Sequence, residues 1–325
     1  MLLLVGGLVV AGGLGLAVAV RSSGPDTGGR AVAETTSAPA SATTPGSVAS
    51  TSPGSASPSL TGSTSSSPRP ARPPLLTPDG HWWGVDSSGP ITSAALANVQ
   101  GWYRGATPQF WGRYVSGDYG VSRAELAFAR SRGIYVYLIV NDQNCSQCDG
   151  IDICGHDLTA AQARADAREA IRAAEQVGVG RGAVLYKDIE QISSCRKEPS
   201  AEYLLAWYHT LRETDWRTGF YGNVYQQNYD FPRAYCAAVA RDPQFTADVV
   251  LDMNQPEPRL GAPRGTTGPH NAPRFRPTVP SCAPRTATKI WQYGESIDPD
   301  NYTDIDQAVP DAPGMLAPDG AITGT

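Results

Sequence analysis

The first eighty residues lack what a folded core needs, a large aromatic side chain. All 7 Trp, 14 Tyr and 6 Phe of the 325-residue chain fall after residue 80. Residues 22–79 are dominated by Ser, Thr, Pro, Gly and Ala, with hardly any large side chain except Leu. Such a segment cannot repay the entropy of ordering its backbone, so it reads as a disordered linker. The chain also lacks a Lys/Arg run or basic stripe. With 26 basic residues against 31 acidic ones and a net charge of −5, nucleic acid is excluded as a partner. No G-x-G-x-x-G follows the first apolar run of the folded part, which argues against a dinucleotide fold. Only 4 His are present, without a regular Ser-His-Asp order, so metal hydrolysis and triad chemistry are poorly supplied. No cofactor and no metal are expected.

Long apolar runs are likewise scarce, except for Met1–Val20, which is uncharged and closed by Arg21. No basic segment precedes it. Residues 1–21 suit either a signal peptide or a transmembrane anchor, and both readings stay open. Ser/Thr/Pro spacers hold domains away from a surface. The folded part is therefore expected outside the cell as a monomer, secreted or held at the membrane through the N-terminal anchor if that is retained. Six cysteines, Cys145, Cys148, Cys154, Cys195, Cys236 and Cys282, are disulfide candidates suited to an oxidising compartment. The compact set Cys145, Cys148, Cys154 and His156 has zinc as its alternative, but its spacing is irregular.

Residues 80–325 hold the aromatic and aliphatic content, a common length for one α/β barrel. Apolar runs predict strands at His81–Asp86, Gln109–Val115, Ile134–Val140, Ala183–Ile189, Arg217–Val224, Ala247–Met253 and Thr288–Tyr293. Helical spacing is found over Ser93–Tyr103, Ser122–Arg132, Thr159–Val177, Ala201–Glu213 and Pro232–Ala240. Ser122 with Glu125 forms a capping-box pattern, and Thr159 is a second cap. Residues 255–285, rich in Pro and Gly, read as a long loop. Alternation of strand and helix implies a parallel sheet, and the length and strand count favour a TIM-like (β/α)8 barrel with irregularities and disulfide-stapled loops.

The chemistry lies in where the acids fall. Asp86, Asp142, Asp188, Glu190 and Asp252 each follow an apolar strand, and Asp304 and Asp306 follow the last. In such a barrel, residues leaving strand C-termini converge on one mouth. Asp188 and Glu190 are two apart, so a strand would point both to one face. Neighbouring carboxylates repel, which favours one holding its proton, as a general acid requires. Glycosidic cleavage uses that division between an acid and a second carboxylate. Glu190 is the expected acid, Asp188 its support and Asp86 the partner across the cleft. Trp83, Tyr114, Tyr221 and Trp291 are candidates for stacking on sugar rings. Acids after strands also cap helices, which is the plainer explanation for Asp86 before Ser87-Ser88, and Asp142 in NDQN taken alone reads as a turn residue.

The motifs WGVDSS (83–88), FWGRYVSG (110–117), ARSRGIYVYLIV (129–140), DAREAIRAAEQVGVGRG (166–182), VLYKDIE (184–190), GFYGNVY (219–225) and IWQYGESIDPDNYTDID (290–306) together resemble a family. It is the glycoside-hydrolase-like domain of actinobacterial secreted proteins, formerly a domain of unknown function. That family is similar to lysozyme-type muramidases, which cut peptidoglycan with a (β/α) barrel. The resemblance spans roughly residues 80–310. It implies that Asp86 matches the muramidases' opening Asp, and that Asp188 and Glu190 match their D-x-E, whose Glu is the general acid. It further implies that Trp291, Gln292 and Tyr293 match the closing W-Q-Y. Asp304 or Asp306 matches the late Asp, and Asp142 stands for the acid after strand three. The cysteine-bearing loop 141–157 and the stretch 255–285 depart from the muramidase pattern. The expected function is hydrolysis of a cell-wall amino-sugar polymer such as peptidoglycan. The alternative is a glycan-binding or structural surface protein on the same barrel.

Overall fold

The computed structural model describes residues 75–140, 158–189, 199–224, 230–255, 268–298, 303–310 and 312–324. Eight strands close into a barrel in chain order. They are β1 (Trp82–Ser87), β2 (Phe110–Tyr114), β3 (Tyr135–Val140), β4 (Val184–Ile189), β5 (Arg217–Asn223), β6 (Val250–Asn254), β7 (Thr288–Asp298) and β8 (Thr303–Ala308). Each strand from β1 to β7 runs parallel to its sequence neighbour. The helices are α1 (Ser93–Trp102), α2 (Arg123–Ser131), α3 (Ala160–Gln176), α4 (Ala201–Arg212), α5 (Asp230–Arg241) and α6 (Pro243–Asp248).

The local signals explain most of these elements. The Ser122 hydroxyl accepts from Glu125 N–H while Glu125 reaches back, so α2 starts on a complete capping box. Thr159 caps α3 by accepting from Gln162 N–H. The expected (β/α)8 barrel is realised with irregularities: among the described residues no α-helix lies between β6 and β7, and β8 is antiparallel to both β7 and β1. The reason for the reversal of β8 is chain length. Only residues 299–302 separate β7 from β8. A parallel return needs a crossover of about a dozen residues or more, whereas a reversed strand needs only a short turn. The strand expected to start at Ala247 begins at Val250, because Pro243–Asp248 forms α6, capped by Asp242.

Side chains alternate along the strands between two cores, with breaks at bulges in β7. One lies between the strands and the helices and includes Trp83, Val85, Trp111, Leu138, Leu185, Phe220, Leu251 and Met253. The other fills the barrel and includes Trp82, Phe110, Tyr137, Tyr186, Tyr221, Val250 and Ile290. Large inward rings fit because their neighbours are glycine. A Cβ on Gly112 would lie 2.4 Å from the Tyr137 ring, and one on Gly219 would lie 2.4 Å from Tyr186.

The C-terminal segment closes the end of the barrel where the parallel strands start. Ala312 and Met315 join the inner core. Val184 N–H donates to Gly314 O at 3.2 Å, and Leu316 exchanges two backbone hydrogen bonds with Val136. The opposite end, at the C-termini of β1–β7, is where the polar side chains gather.

The expectation of a transmembrane segment is corrected. Among the described residues, no helix is long and apolar enough to cross a membrane. Residues 1–21, from which that expectation came, lie outside the described residues, as do residues 22–74.

Candidate functional site

Strands β1, β4, β6 and β8 supply inward-facing aspartates at one mouth: Asp86 from β1, Asp188 from β4, Asp252 from β6, and Asp304 and Asp306 from β8. Strand register sets the arrangement. Asp86 is the Cα partner of Asp304 and of Gly112 on its other side, and Asp306 is the partner of Gly84 and Gln292. Tyr221 is the partner of both Asp188 and Asp252, so those two carboxyls stand two strands apart, about 10 Å at the backbone.

Tyr137, on β3, organises the first group. Its hydroxyl donates to Asp306 Oδ2 at 3.4 Å. Burial, then the charges of Asp252, Asp306 and Asp86, pushes this phenol well above its ordinary pKa, so it remains a donor. Asp306 is fully buried, and it too is pushed well above the ordinary carboxyl range. Burial is the main cause, followed by the negative fields of Asp86, Asp252 and Asp304. Like charges in one dry pocket cannot all ionise, so Asp306 holds a proton more tightly than a solvated carboxyl does. Buried Tyr186 is raised in the same way, first by desolvation and then by Asp252.

A second group lies on the β4–β7 side. Tyr114 donates to Asp188 Oδ2 at 3.3 Å. Asn254 donates to the Tyr221 hydroxyl at 3.4 Å, and that hydroxyl donates to Gln292. Glu295 belongs here as well. Its carboxyl hydrogen-bonds with Asn254, and partial burial raises its pKa more than that bond lowers it.

The segment leaving β1 is pinned from outside. Arg113, on the outer face of β2, is buried and pairs with Glu125 at 2.5 Å. It also donates to the carbonyls of Ser87, Ser88 and Tyr119. Glu125 accepts from Ile91 N–H at 2.8 Å, and Trp111 Nε1–H donates to the Ser87 hydroxyl at 2.8 Å. These bonds hold the backbone immediately after Asp86.

The residues expected from sequence divide cleanly. Asp86, Asp188, Asp252, Asp304, Asp306, Tyr114, Tyr221 and Gln292 come together at the inner mouth. Trp83 and Trp291 do not. Both are fully buried in the outer core, and Trp83 Nε1–H donates to Tyr293 OH at 3.1 Å while Trp291 Nε1–H donates to Gln255 O at 2.9 Å. Neither can stack on a sugar at the mouth. Glu190 and Asp142 lie outside the described residues, with Cys145, Cys148, Cys154 and Cys195. Cys236 and Cys282 form a disulfide with an S–S length of 2.07 Å, stapling α5 to the connection that precedes β7. Tyr137, Tyr186, Asn254 and Glu295 were not anticipated. The two tyrosines are hidden within apolar strand runs, where only their alternation marks them as facing inward.

The site can bind a neutral polar ligand through many hydrogen-bond acceptors and phenolic rings, and it holds carboxyls of unequal proton affinity. Among solved structures, an uncharacterized protein of B. stearothermophilus is 28% identical with a TM-score of 0.57, over 70% of this chain and 95% of that one. The Mycobacterium tuberculosis Tat-secreted protein Rv2525c is 13% identical with a TM-score of 0.44, over 72% of this chain and 98% of that one. The modular autolysin LytC from Streptococcus pneumoniae is 12% identical with a TM-score of 0.39, over 70% of this chain and 46% of that one. No curated protein matches. A family model for the Rv2525c-like, glycoside hydrolase-like domain matches residues 100–307, more than half of the chain. The chain belongs to that glycoside hydrolase-like family.

Proposed function

We propose that this protein is an exported glycoside hydrolase that cuts an amino-sugar polymer of the cell wall, such as peptidoglycan. The observation that carries the reading is the convergence of carboxyls from β1, β4, β6 and β8 on one mouth, in a barrel of a glycoside hydrolase-like family. Glu190, directly after β4 in the chain and two residues beyond Asp188, is the general acid. It gives its proton to the leaving glycosidic oxygen as the bond breaks. Asp188 keeps Glu190 protonated by like-charge repulsion, and Asp86 faces the sugar from β1, where its negative charge favours the cationic transition state. Tyr114 and Tyr221 line the cleft, Asp252, Gln292, Asp304 and Asp306 complete its polar wall, and Asp142, two residues after β3 in the chain, is a further sugar-binding residue. The Cys236–Cys282 disulfide supports export, since such bonds persist in oxidising compartments.

The purified chain incubated with peptidoglycan is expected to release reducing ends. The Glu190→Gln variant is expected to do so at least about 100-fold more slowly, the usual scale for losing a general acid. Binding without release by the parent chain would sink hydrolysis and favour a non-catalytic glycan-binding role.

A further inference from the structure

Glu295 faces the barrel interior although the alternation of β7 would send it the other way. Ile290 and Gln292 point inward, so an unbroken strand would place Gly294 inside and Glu295 outside. A bulge reverses this. Gln292 is paired with Asp306, but Gly294 is already paired with Ile305, so two steps on β7 match one on β8. Ile305 belongs to the outer core, and Glu295 is thereby turned toward the inner face.

Its partner fixes its position. Glu295 bonds to Asn254, an inward residue at the end of β6, and Asn254 bonds to Tyr221, the neighbour of Asp188. A polar chain thus runs from β7 across β6 to β5 along the mouth. Glu295 is half-buried at the end of that chain. It is dry enough for strong charge-assisted bonds and open enough to meet a ligand.

We propose that Glu295 is a glycan-contacting residue of this mouth, its carboxylate accepting hydrogen bonds from the hydroxyl or acetamido N–H groups of an amino-sugar unit. The inference rests on the reading of the site given under Proposed function. Asn254 orients the carboxylate, leaving the other oxygen lone pairs for the sugar. Glu295 sets affinity and is not the proton donor for bond cleavage.

The test measures binding apart from turnover. The full chain carrying Glu190→Gln is titrated with a β-1,4-linked N-acetylglucosamine tetramer by calorimetry between about pH 4 and pH 8, with and without Glu295→Gln. Adding Glu295→Gln is expected to weaken binding roughly tenfold or more near neutral pH. It is also expected to flatten the gain in affinity that accompanies ionisation of Glu295. Asp86, Asp188, Asp252, Asp304, Asp306 and Tyr221 face the same mouth and are present in both proteins, so the difference isolates Glu295. Glu213→Gln, on the exposed surface after α4, serves as the control and leaves affinity unchanged. Equal affinity and equal pH profiles with and without Glu295→Gln would overturn the inference. Failure of the Glu190→Gln chain to bind the tetramer at all would overturn it together with the glycan reading. Reducing-end release by the parent with Glu295-independent binding sinks this inference alone. Glu295-dependent binding without release sinks hydrolysis alone.

Discussion

Five strands change chemical character along their length. At their starts β1, β2, β4, β6 and β7 send Trp82, Phe110, Val184, Val250 and Ile290 into the barrel, where Ala312 and Met315 pack against them. Toward their ends the same strands send in Asp86, Tyr114, Asp188, Asp252 and Gln292. β8 runs the other way, and its sequence is reversed to match, with Asp304 and Asp306 before Ala308. The two ends of the barrel thus do different work. The apolar end supplies stability through burial. The polar end costs stability, because it desolvates carboxyls beside one another. Substitutions at the apolar end should therefore lower stability while sparing glycan affinity in the folded fraction, and those at the polar end should do the opposite.

The largest loss is expected at Gly314, where the C-terminal segment that plugs the barrel meets β4. Its φ is +80°, and a Cβ there would lie 2.2 Å from Val184 Cγ2 and 2.5 Å from Val184 N. Gly314→Val combines left-handed backbone strain with a clash against backbone that cannot yield. A loss of about 4 kcal/mol or more is expected, visible as a much lower midpoint in urea. Met315→Ala comes next. Its side chain is fully buried in the inner core, so its removal should cost about 2–5 kcal/mol. Tetramer affinity measured well below the melting temperature should be unchanged in Met315→Ala. A loss of affinity matching the loss of stability would show that the two ends are not separable.

The same period-two logic shows what was legible in the sequence and what was not. The apolar strands, the capping box of α2 and the clustering of acids at strand ends all follow from local patterns. Trp83 and Asp86 are three residues apart, so one strand cannot point both into the barrel, and it is Trp82 that shares a face with Asp86. Trp291 and Gln292 conflict in the same way, being adjacent. Only the chain length between β7 and β8 hinted that β8 would be reversed, because Thr303–Ala308 reads as an acidic tail and lacks the apolar run of a strand. The inward turn of Glu295 depends on a bulge opposite Ile305, a long-range pairing that no local pattern carries. The plug formed by residues 312–316 lacks helical or strand periodicity and takes its place from backbone bonds to Val136 and Val184.

The smallest expected effect is also the one with opposite sign. Asp306 sits fully buried among Asp86, Asp252 and Asp304, with its pKa raised well above the ordinary carboxyl value. A carboxyl that binds its proton more tightly when folded favours the fold most below its ordinary value. That contribution fades as pH rises toward the folded pKa, because the folded state then either keeps a proton that the unfolded chain releases or bears a buried charge. Asp306→Asn keeps a group able to accept from Tyr137 and removes the ionisation. The variant should therefore melt a few degrees higher than the parent in mildly alkaline buffer, with the gap narrowing as pH falls toward the ordinary carboxyl range. Thermal melts of both proteins across that range provide the check. A gap that widens on acidification would mean that Asp306 is stabilised as a carboxylate, and that the polar end of the barrel is not held together against its own charge.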